Sequence, residues 1–195
     1  MKMPREYDMT TRAAQAASSR LRILDATIEL TGERPLSAVT LPIVAERAGV
    51  TVQTVLRKFG SREGLFEAAA VHGRTVVLAE RAIHPEDVDA SVDALLAHYE
   101  RTSASTLVLL GQETWEPLIA EIVDAGKALH RTWVEEVFAQ ALAALPSSAR
   151  AEAVDLLVVA TDLYTYKLLR IDRGLSLDET RERMQRLIGA VRKVL

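Results

Sequence analysis

The chain has 195 residues, a formal net charge of −3 and no cysteine, which excludes disulfides, cysteine nucleophiles and cysteine-based zinc sites. Hydrophobic residues make up 49% of it, yet no apolar run approaches the length of a membrane span, and residues 1–12 lack the apolar core of a secretion signal. These features predict a cytoplasmic protein without a membrane segment.

Charge is distributed unevenly along the chain. Residues 1–66 contain 10 Lys/Arg and 7 Asp/Glu, a charge of +3, so the remaining residues carry −6. A basic N-terminal part suits contact with nucleic acid, although chance clustering also explains an asymmetry of this size. The abundance of Ala, Leu, Arg and Glu, with only 9 Gly and 6 Pro, predicts an all-α fold.

Capping residues, glycines and prolines divide the chain into about nine helices. Residues 1–18 are polar and small and predict a flexible N-terminal arm. The segment 62–81 has no internal breaker and predicts a long, continuous helix. The predicted helices, in approximate residue numbers, are 19–30, 41–48, 52–59, 62–81, two within 86–110, 117–145, 147–172 and 177–195.

A helix-turn-helix pattern occupies residues 45–59. Ala45 is small enough for two helices to approach each other, Gly49 suits the tight turn, and Val55 supplies an inward apolar group. In this motif the second helix is presented to a DNA major groove. The pattern alone also fits an ordinary helical hairpin with a solvated face, and it leaves both interpretations open.

The second helix of this pattern has an outward face of polar and basic side chains. Gln53 and Arg57 form one row, and Thr54 and Lys58 form a neighbouring row. Their amide, hydroxyl and cationic groups can contact base edges and phosphates. Thr51, as the N-cap, leaves backbone N–H groups that suit a phosphate.

A longer set of residues with regular spacing surrounds this pattern. Its members are Arg20, Ile23, Ala26, Thr40, Val44, Ala45, Ala48, Gly49, Val50, Thr51, Phe59, Ser61, Arg62, Glu63 and Leu65. In type and spacing they resemble the DNA-binding head of the tetracycline-repressor (TetR) family of regulators. The resemblance implies a three-helix head, joined by a long helix to a C-terminal helical domain that dimerises and binds a small effector. The residues expected to contact DNA are Thr40, Thr51, Val52, Gln53, Thr54, Leu56, Arg57, Lys58, Arg20 and Arg62.

Three residues depart from the family pattern. Leu56 stands where the family typically has a tyrosine that touches a phosphate, so an apolar contact to a sugar or a thymine methyl is expected instead. Pro35 replaces a customary glycine, and Thr31 replaces a customary aromatic or large apolar residue. The last two concern the packing of the head more than the reading of DNA.

The C-terminal part contains two strongly apolar segments. Residues 152–171 are apolar on nearly every face, which predicts burial on all sides. The last helix carries an apolar stripe of Met184, Leu187, Ile188, Val191 and Leu195. A monomer core explains either segment alone, but both together favour a two-fold, four-helix dimer interface.

Aromatic and histidine side chains are concentrated in the middle helices. For any single residue an aromatic core is the simpler interpretation, whereas together they fit an apolar cavity with a few polar anchors. The predicted effector-binding residues are His98, Tyr99, Trp115, His130, Trp133, Phe138, Thr161 and Tyr164.

The sequence lacks the motifs of common enzymes. It has no Gly-x-Ser-x-Gly elbow and no phosphate-binding loop, and its four histidines lack the close spacing of metal-binding pairs. We therefore predict no enzymatic activity, no cofactor and no metal site.

These observations predict a ligand-responsive transcriptional regulator that binds double-stranded DNA as a homodimer. We expect an inverted-repeat, palindromic operator, a repressor role because occlusion of a promoter needs only binding, and release by a small apolar or aromatic effector. The predicted parts are an arm (1–18), a DNA-binding domain (19–66) and an effector-binding and dimerisation domain (67–195). The alternative is an all-α small-molecule carrier or scaffold whose head no longer binds DNA, for which Leu56 and the modest charge of the head argue.

Overall fold

The computed structural model describes the backbone of residues 6–194 and the side chains of residues 15 and 17–193. This part of the chain forms helices and no strand, which confirms the predicted all-α fold class. A 3₁₀ turn lies at Leu36–Ala38 and a π-helical turn at Lys167–Asp172. The helices are α1 (Glu6–Glu33), α2 (Leu41–Arg47), α3 (Val52–Phe59), α4 (Arg62–Glu80), α5 (Val88–Leu110), α6 (Pro117–Val137), α7 (Ala139–Ala143), α8 (Ser147–Thr161), α9 (Leu163–Tyr166) and α10 (Leu177–Val194).

Helix α1 begins at Glu6, well before the predicted start at Ser19. Residues 12–18 contain four alanines, and alanine has the highest intrinsic helix propensity, so the helix extends into the segment expected to form an arm. The first five residues of that arm lie outside the described part of the chain.

The helices of the C-terminal part are divided differently from the prediction. Helix α5 is continuous where two helices were expected, whereas the segment predicted at 147–172 is interrupted at Asp162. Asp162 is extended, and its carboxylate accepts a hydrogen bond from the backbone N–H of Tyr164 at 2.7 Å. This N-cap ends α8 and starts α9, because an aspartate side chain competes well for free N–H groups at a helix start.

The chain forms two compact units. The first comprises the residues up to Thr75 together with Ser105–Ile119, and the second comprises Val76–Ala104 and Ala120–Leu195. Helices α4, α5 and α6 each contribute residues to both units. The first compact unit therefore contains more of the chain than the predicted DNA-binding domain of residues 19–66. A division of function at residue 66 stays a prediction.

The core of the first unit lies between α1 and the short helices. Ile23, Leu30, Val55 and Leu65 are completely buried in it. The end of α5 approaches α1 so closely that a Cβ atom on Gly32 would lie 2.4 Å from Cβ of Ser105. Only glycine fits at this position without displacing the neighbouring backbone.

The core of the second unit lies beneath α8 and α10, which pack against each other. Leu95, Leu157 and Met184 are completely buried there. The rings of Tyr99 and Tyr166 are in contact, with centroids 5.3 Å apart, and the Tyr99 hydroxyl donates to the carbonyl of Thr161 at 3.1 Å. The interior of this unit therefore combines aliphatic side chains with a pair of packed tyrosines.

Candidate nucleic-acid interface and ligand cavity

Helices α2 and α3 form the helix-turn-helix of the first unit. Gly49 ends α2 with φ of 64°, a left-handed conformation that side chains with a Cβ rarely adopt. Thr51 starts α3, and its Oγ1 accepts a hydrogen bond from the N–H of Thr54 at 3.2 Å. Val44 and Val55 are buried on the facing sides of the two helices. The glycine turn and the threonine cap thus form as their sequence positions predict.

Most of the residues expected to contact DNA are accessible on this unit. Thr40, Thr51, Gln53, Leu56 and Arg57 are exposed, and Val52, Thr54 and Lys58 are half-buried. Within the described part of the chain, neither Gln53 nor Arg57 has a hydrogen-bond or ion-pair partner. Their amide and guanidinium groups are therefore available to an external acceptor.

Two of the predicted DNA-contacting arginines also contact other residues of the head. The Arg62 guanidinium donates to the carbonyls of Val39 at 3.2 Å and Leu36 at 2.7 Å, and it lies 4.5 Å from the ring centroid of Phe66. The Arg20 guanidinium is exposed but lies 4.5 Å from the ring centroid of Phe59. A DNA contact by Arg62 stays a prediction, since its donors are largely occupied.

An ion pair joins α1 to α2. The guanidinium of Arg47 donates to both carboxylate oxygens of Glu33 at 2.9 Å and to Glu29 at 3.2 Å. Hydrogen bonding to Arg47 lowers the pKa of Glu33 to about 2. Arg47 consequently offsets part of the negative charge of these two carboxylates within the head.

The predicted effector-binding residues are not all together. Trp115 belongs to the first unit and is 68% exposed, and Tyr164 is half exposed on the second unit. The other six are buried in the second unit: His98, Tyr99, His130, Trp133, Phe138 and Thr161. The sequence signal therefore located an aromatic-rich interior but did not separate core residues from cavity residues.

The second unit contains a cavity of about 180 Å³ between the end of α4 and α6. Trp133 lines it, whereas the seven other predicted effector residues are not among its lining residues. The complete lining is Val77, Leu78, Arg81, Ile83, Leu129, Thr132, Trp133 and Glu136. A mostly apolar wall with a few polar groups is the usual composition of a small-molecule site.

A hydrogen-bonded chain of buried side chains adjoins this cavity. Nη2 of Arg81 donates to Nδ1 of His130 at 2.5 Å, and Nε2 of His130 lies 3.1 Å from Oγ1 of Thr161. Since a guanidinium only donates, Nδ1 must accept, and the ring proton is on Nε2. The Thr161 hydroxyl in turn donates to the carbonyl of Leu157 at 2.8 Å.

Burial keeps His130 uncharged. Desolvation, reinforced by the neighbouring Arg81 charge, lowers the pKa of His130 to about 3. The neutral imidazole can therefore accept from Arg81 without adding a second positive charge to the interior.

Sequence reasoning missed Arg81 and Gln112. Arg81 follows the apolar residues Val76, Val77 and Leu78 within one and a half helical turns. This spacing is only a weak indication that the arginine is buried among apolar side chains. Gln112 follows a helix end and has no local signature, because its partner Leu36 is 76 positions away.

The first unit contains a helix-turn-helix, and the second unit is also helical. The fold is therefore that of an all-α helix-turn-helix protein. Residues 23–69 match the model of the family described as bacterial regulatory proteins, tetR family. The matched segment contains α2 and α3, so the helix-turn-helix lies in the part of the chain that is similar to this family.

Two curated relatives that match part of the chain are HTH-type transcriptional regulators. The HTH-type transcriptional regulator AlkX of Mycobacterium tuberculosis is 34% identical over 113 residues, which cover 56% of this chain and 50% of the relative. The chain thus spans about half the length of the curated relatives it matches.

Two crystal structures share the fold. A transcriptional regulator from Rhodococcus sp. Rha1 is 20% identical with a TM-score of 0.64, covering 88% of this chain and 95% of its own. A protein from Saccharomonospora viridis in complex with choline is 18% identical with a TM-score of 0.63, covering 89% of this chain and 96% of its own.

Within the described residues, no helix is both long and apolar enough to cross a membrane.

Proposed function

We propose that the protein is a ligand-responsive transcriptional regulator, a repressor that binds an inverted-repeat operator as a homodimer and is released by a small effector. It acts by binding rather than by catalysis, in the cytoplasm where its DNA target lies. The observation that carries the proposal is the helix-turn-helix whose second helix exposes Gln53 and Arg57 without internal partners. These are the side-chain types that read base edges and phosphates.

Dimerisation is supported by an apolar surface on the second unit. The segment 152–171, expected to be buried on all sides, leaves several large apolar side chains exposed in the single chain. The C-terminal apolar surface consists of Leu156, Val159, Leu168, Ile171 and Leu187. Met184 and Ile188 of the last helix face the core instead. Several large apolar side chains exposed on one unit favour a second copy of the chain as their partner, in a two-fold arrangement.

Release by an effector requires the second unit to influence the first. Helices α4 and α5 contribute residues to both units, so a change around the cavity can be carried along continuous helices. A ligand can shift DNA affinity only by its preference between two states, typically about 1–3 kcal/mol, or roughly 5–150-fold. Operator DNA must weaken effector binding by the same factor.

A cationic ligand of the kind held by the Saccharomonospora viridis protein is not favoured for the cavity of this chain. Arg81 lines that cavity and is 8% exposed, and a buried guanidinium repels a quaternary ammonium group.

Selection of bound sequences from a random duplex pool tests the proposal. We expect an inverted repeat whose half-sites place two recognition helices in major grooves roughly 34 Å apart, or a multiple of that distance. The affinity should fall with salt, with a negative log–log slope. A carrier or scaffold would give no consensus and no salt-dependent retention on duplex DNA, and that outcome would favour the alternative.

A further inference from the structure

We infer that the cavity lined by Arg81 and Trp133 binds a small aromatic carboxylate, with Arg81 as the anion partner and Trp133 as an additional hydrogen-bond donor. The inference deepens the proposed function, since it names the chemical class of the effector. It rests on that function only for the expectation that binding releases the protein from DNA. The site itself is defined by residues of the second unit.

Two buried donors of the cavity wall have no partner. Among the described residues, neither Nε of Arg81 nor Nε1 of Trp133 has a hydrogen-bond acceptor, although both atoms are inaccessible to solvent. Trp133 is 3% exposed and Arg81 is 8% exposed. Native proteins rarely leave buried N–H groups unsatisfied, because each one forfeits its hydration without compensation. Arg81 and Trp133 line the same cavity, so a shift of either side chain on binding would bring its free N–H within reach of a ligand acceptor.

The charge of Arg81 lacks a carboxylate partner, although its guanidinium carbon lies 5.3 Å from the ring centroid of Trp133. Within the described part of the chain no carboxylate lies within ion-pair distance of its guanidinium, and its one hydrogen bond goes to the uncharged His130. Guanidinium groups stay protonated in proteins, and a buried charge is ordinarily paired. A carboxylate is the anion that matches the planar donor edge of arginine.

The other charged groups near the cavity do not neutralise Arg81. Glu136 lines the cavity but is exposed, so water screens its charge. Asp162 attracts Arg81 electrostatically, but its carboxylate already accepts from the backbone N–H of Tyr164. The interior face of the cavity is consequently positive.

Size and wall chemistry define the rest of the ligand. An apolar cavity of about 150 Å³ accepts benzene. The present cavity of about 180 Å³ therefore fits a single ring with one small substituent. The Trp133 ring and the side chains of Val77, Ile83 and Leu129 provide the apolar surface for that ring. An aromatic carboxylate thus satisfies the volume, the apolar wall and the positive charge together.

Isothermal titration of the full-length protein with benzoate and benzamide tests the inference without DNA. The two probes have nearly the same shape and differ in charge. We expect benzoate to bind about tenfold or more tightly than benzamide, the range of a hydrogen bond to a charged group. Choline should bind more weakly than either. Equal affinities for benzoate and benzamide, tighter binding of choline, or no heat with benzoate would overturn the inference.

Variants assign the effect to the named residues. Arg81→Met should abolish the preference for benzoate, whereas Arg101→Met, an exposed arginine paired with Glu80 on the same unit, should retain it. Trp133→Phe keeps an aromatic ring but removes the donor, and it should weaken benzoate binding about two- to tenfold. Trp133→Phe carries the test if Arg81→Met does not fold by circular dichroism. An unchanged benzoate preference in folded Arg81→Met, or an unchanged affinity in Trp133→Phe, contradicts the assignment.

A separate retention assay on duplex DNA distinguishes this inference from the proposed function. Retention on an operator without any binding of benzoate overturns the carboxylate site and leaves the regulator intact. Benzoate binding that depends on Arg81, without salt-dependent retention on DNA, confirms the site and contradicts the regulatory role.

Discussion

Gln112 accepts a hydrogen bond from the backbone N–H of Leu36 through its Oε1 atom, at 2.9 Å. Gln112 also donates to the carbonyl of Val108 at 2.9 Å, so its amide is used at both ends. The carbonyl of Leu36 accepts from Arg62. Side chains distant in sequence therefore hold both polar groups of the Leu36 peptide, and this turn leads directly into the helix-turn-helix.

Replacement of Gln112 by alanine should destabilise the protein. The buried N–H of Leu36 would lose its acceptor, at a cost of about 1–3 kcal/mol in the free energy of unfolding. Urea denaturation measures the loss, with Gln140→Ala, an exposed glutamine of α7, as the control expected to change little. Equal stabilities of the two variants would show that Gln112 does not support the turn.

Substitutions in the recognition helix α3 should distinguish residues that bind the DNA backbone from residues that recognise bases. Lys58→Ala should weaken binding to all sequences alike and reduce the salt slope by about one unit, whereas Gln53→Ala should relax the preference at one base pair. Binding to the selected operator and to single-base variants, measured over a range of salt concentrations, distinguishes these effects. If both variants bind the operator like the wild type, α3 does not contact DNA.

The C-terminal apolar surface should control assembly. Val159 is 63% exposed, and Val159→Asp should shift the protein toward the monomer, because a carboxylate cannot be buried unpaired in an interface. The affinity for the operator should fall as the dimer dissociates. Light scattering after size-exclusion chromatography measures the mass, and Val71→Asp, a comparably exposed valine of α4, is the control. A dimer that survives Val159→Asp places the interface elsewhere.

The response to the effector should depend on Trp133. Trp133→Ala enlarges the cavity and removes a buried donor, so it should reduce release from operator by benzoate or by an effector found in a ligand screen. DNA binding without ligand should remain largely intact, since Trp133 lies in the second unit. A titration of wild type and variant on the operator measures both quantities. An effector that binds the protein yet leaves its operator affinity unchanged would contradict the proposed release.

Acid should destabilise the fold through His130. Its pKa is 6.5 when unfolded and about 3 when folded, so between these values the unfolded chain binds more protons. Stability should therefore fall as the pH drops below about 6.5, with a slope approaching 1.4 kcal/mol per pH unit for one proton. His130→Gln can still accept from Arg81 but does not titrate, and it should lose less stability between pH 7 and pH 5. Parallel losses in urea titrations would show that His130 does not drive the effect.

The sequence by itself determined the helix-turn-helix, because its signals are local. Gly49, Thr51 and Val55 act within a few residues of their own positions, through backbone conformation, capping and helical periodicity, and each lies where the pattern predicts. For the same reason the sequence predicted the starts of α4 at Arg62 and of α6 at Pro117.

Only the tertiary structure decided which side chains meet. Arg81 bonds to His130 from 49 positions away and Gln112 to Leu36 from 76, separations over which no periodicity is readable. The tertiary structure also decided which apolar residues of the C-terminal part are buried. Met184 is buried, whereas Val159 is exposed. Sequence records how apolar a helix is, but the faces that neighbouring helices cover are set by packing, and packing is a property of the whole fold.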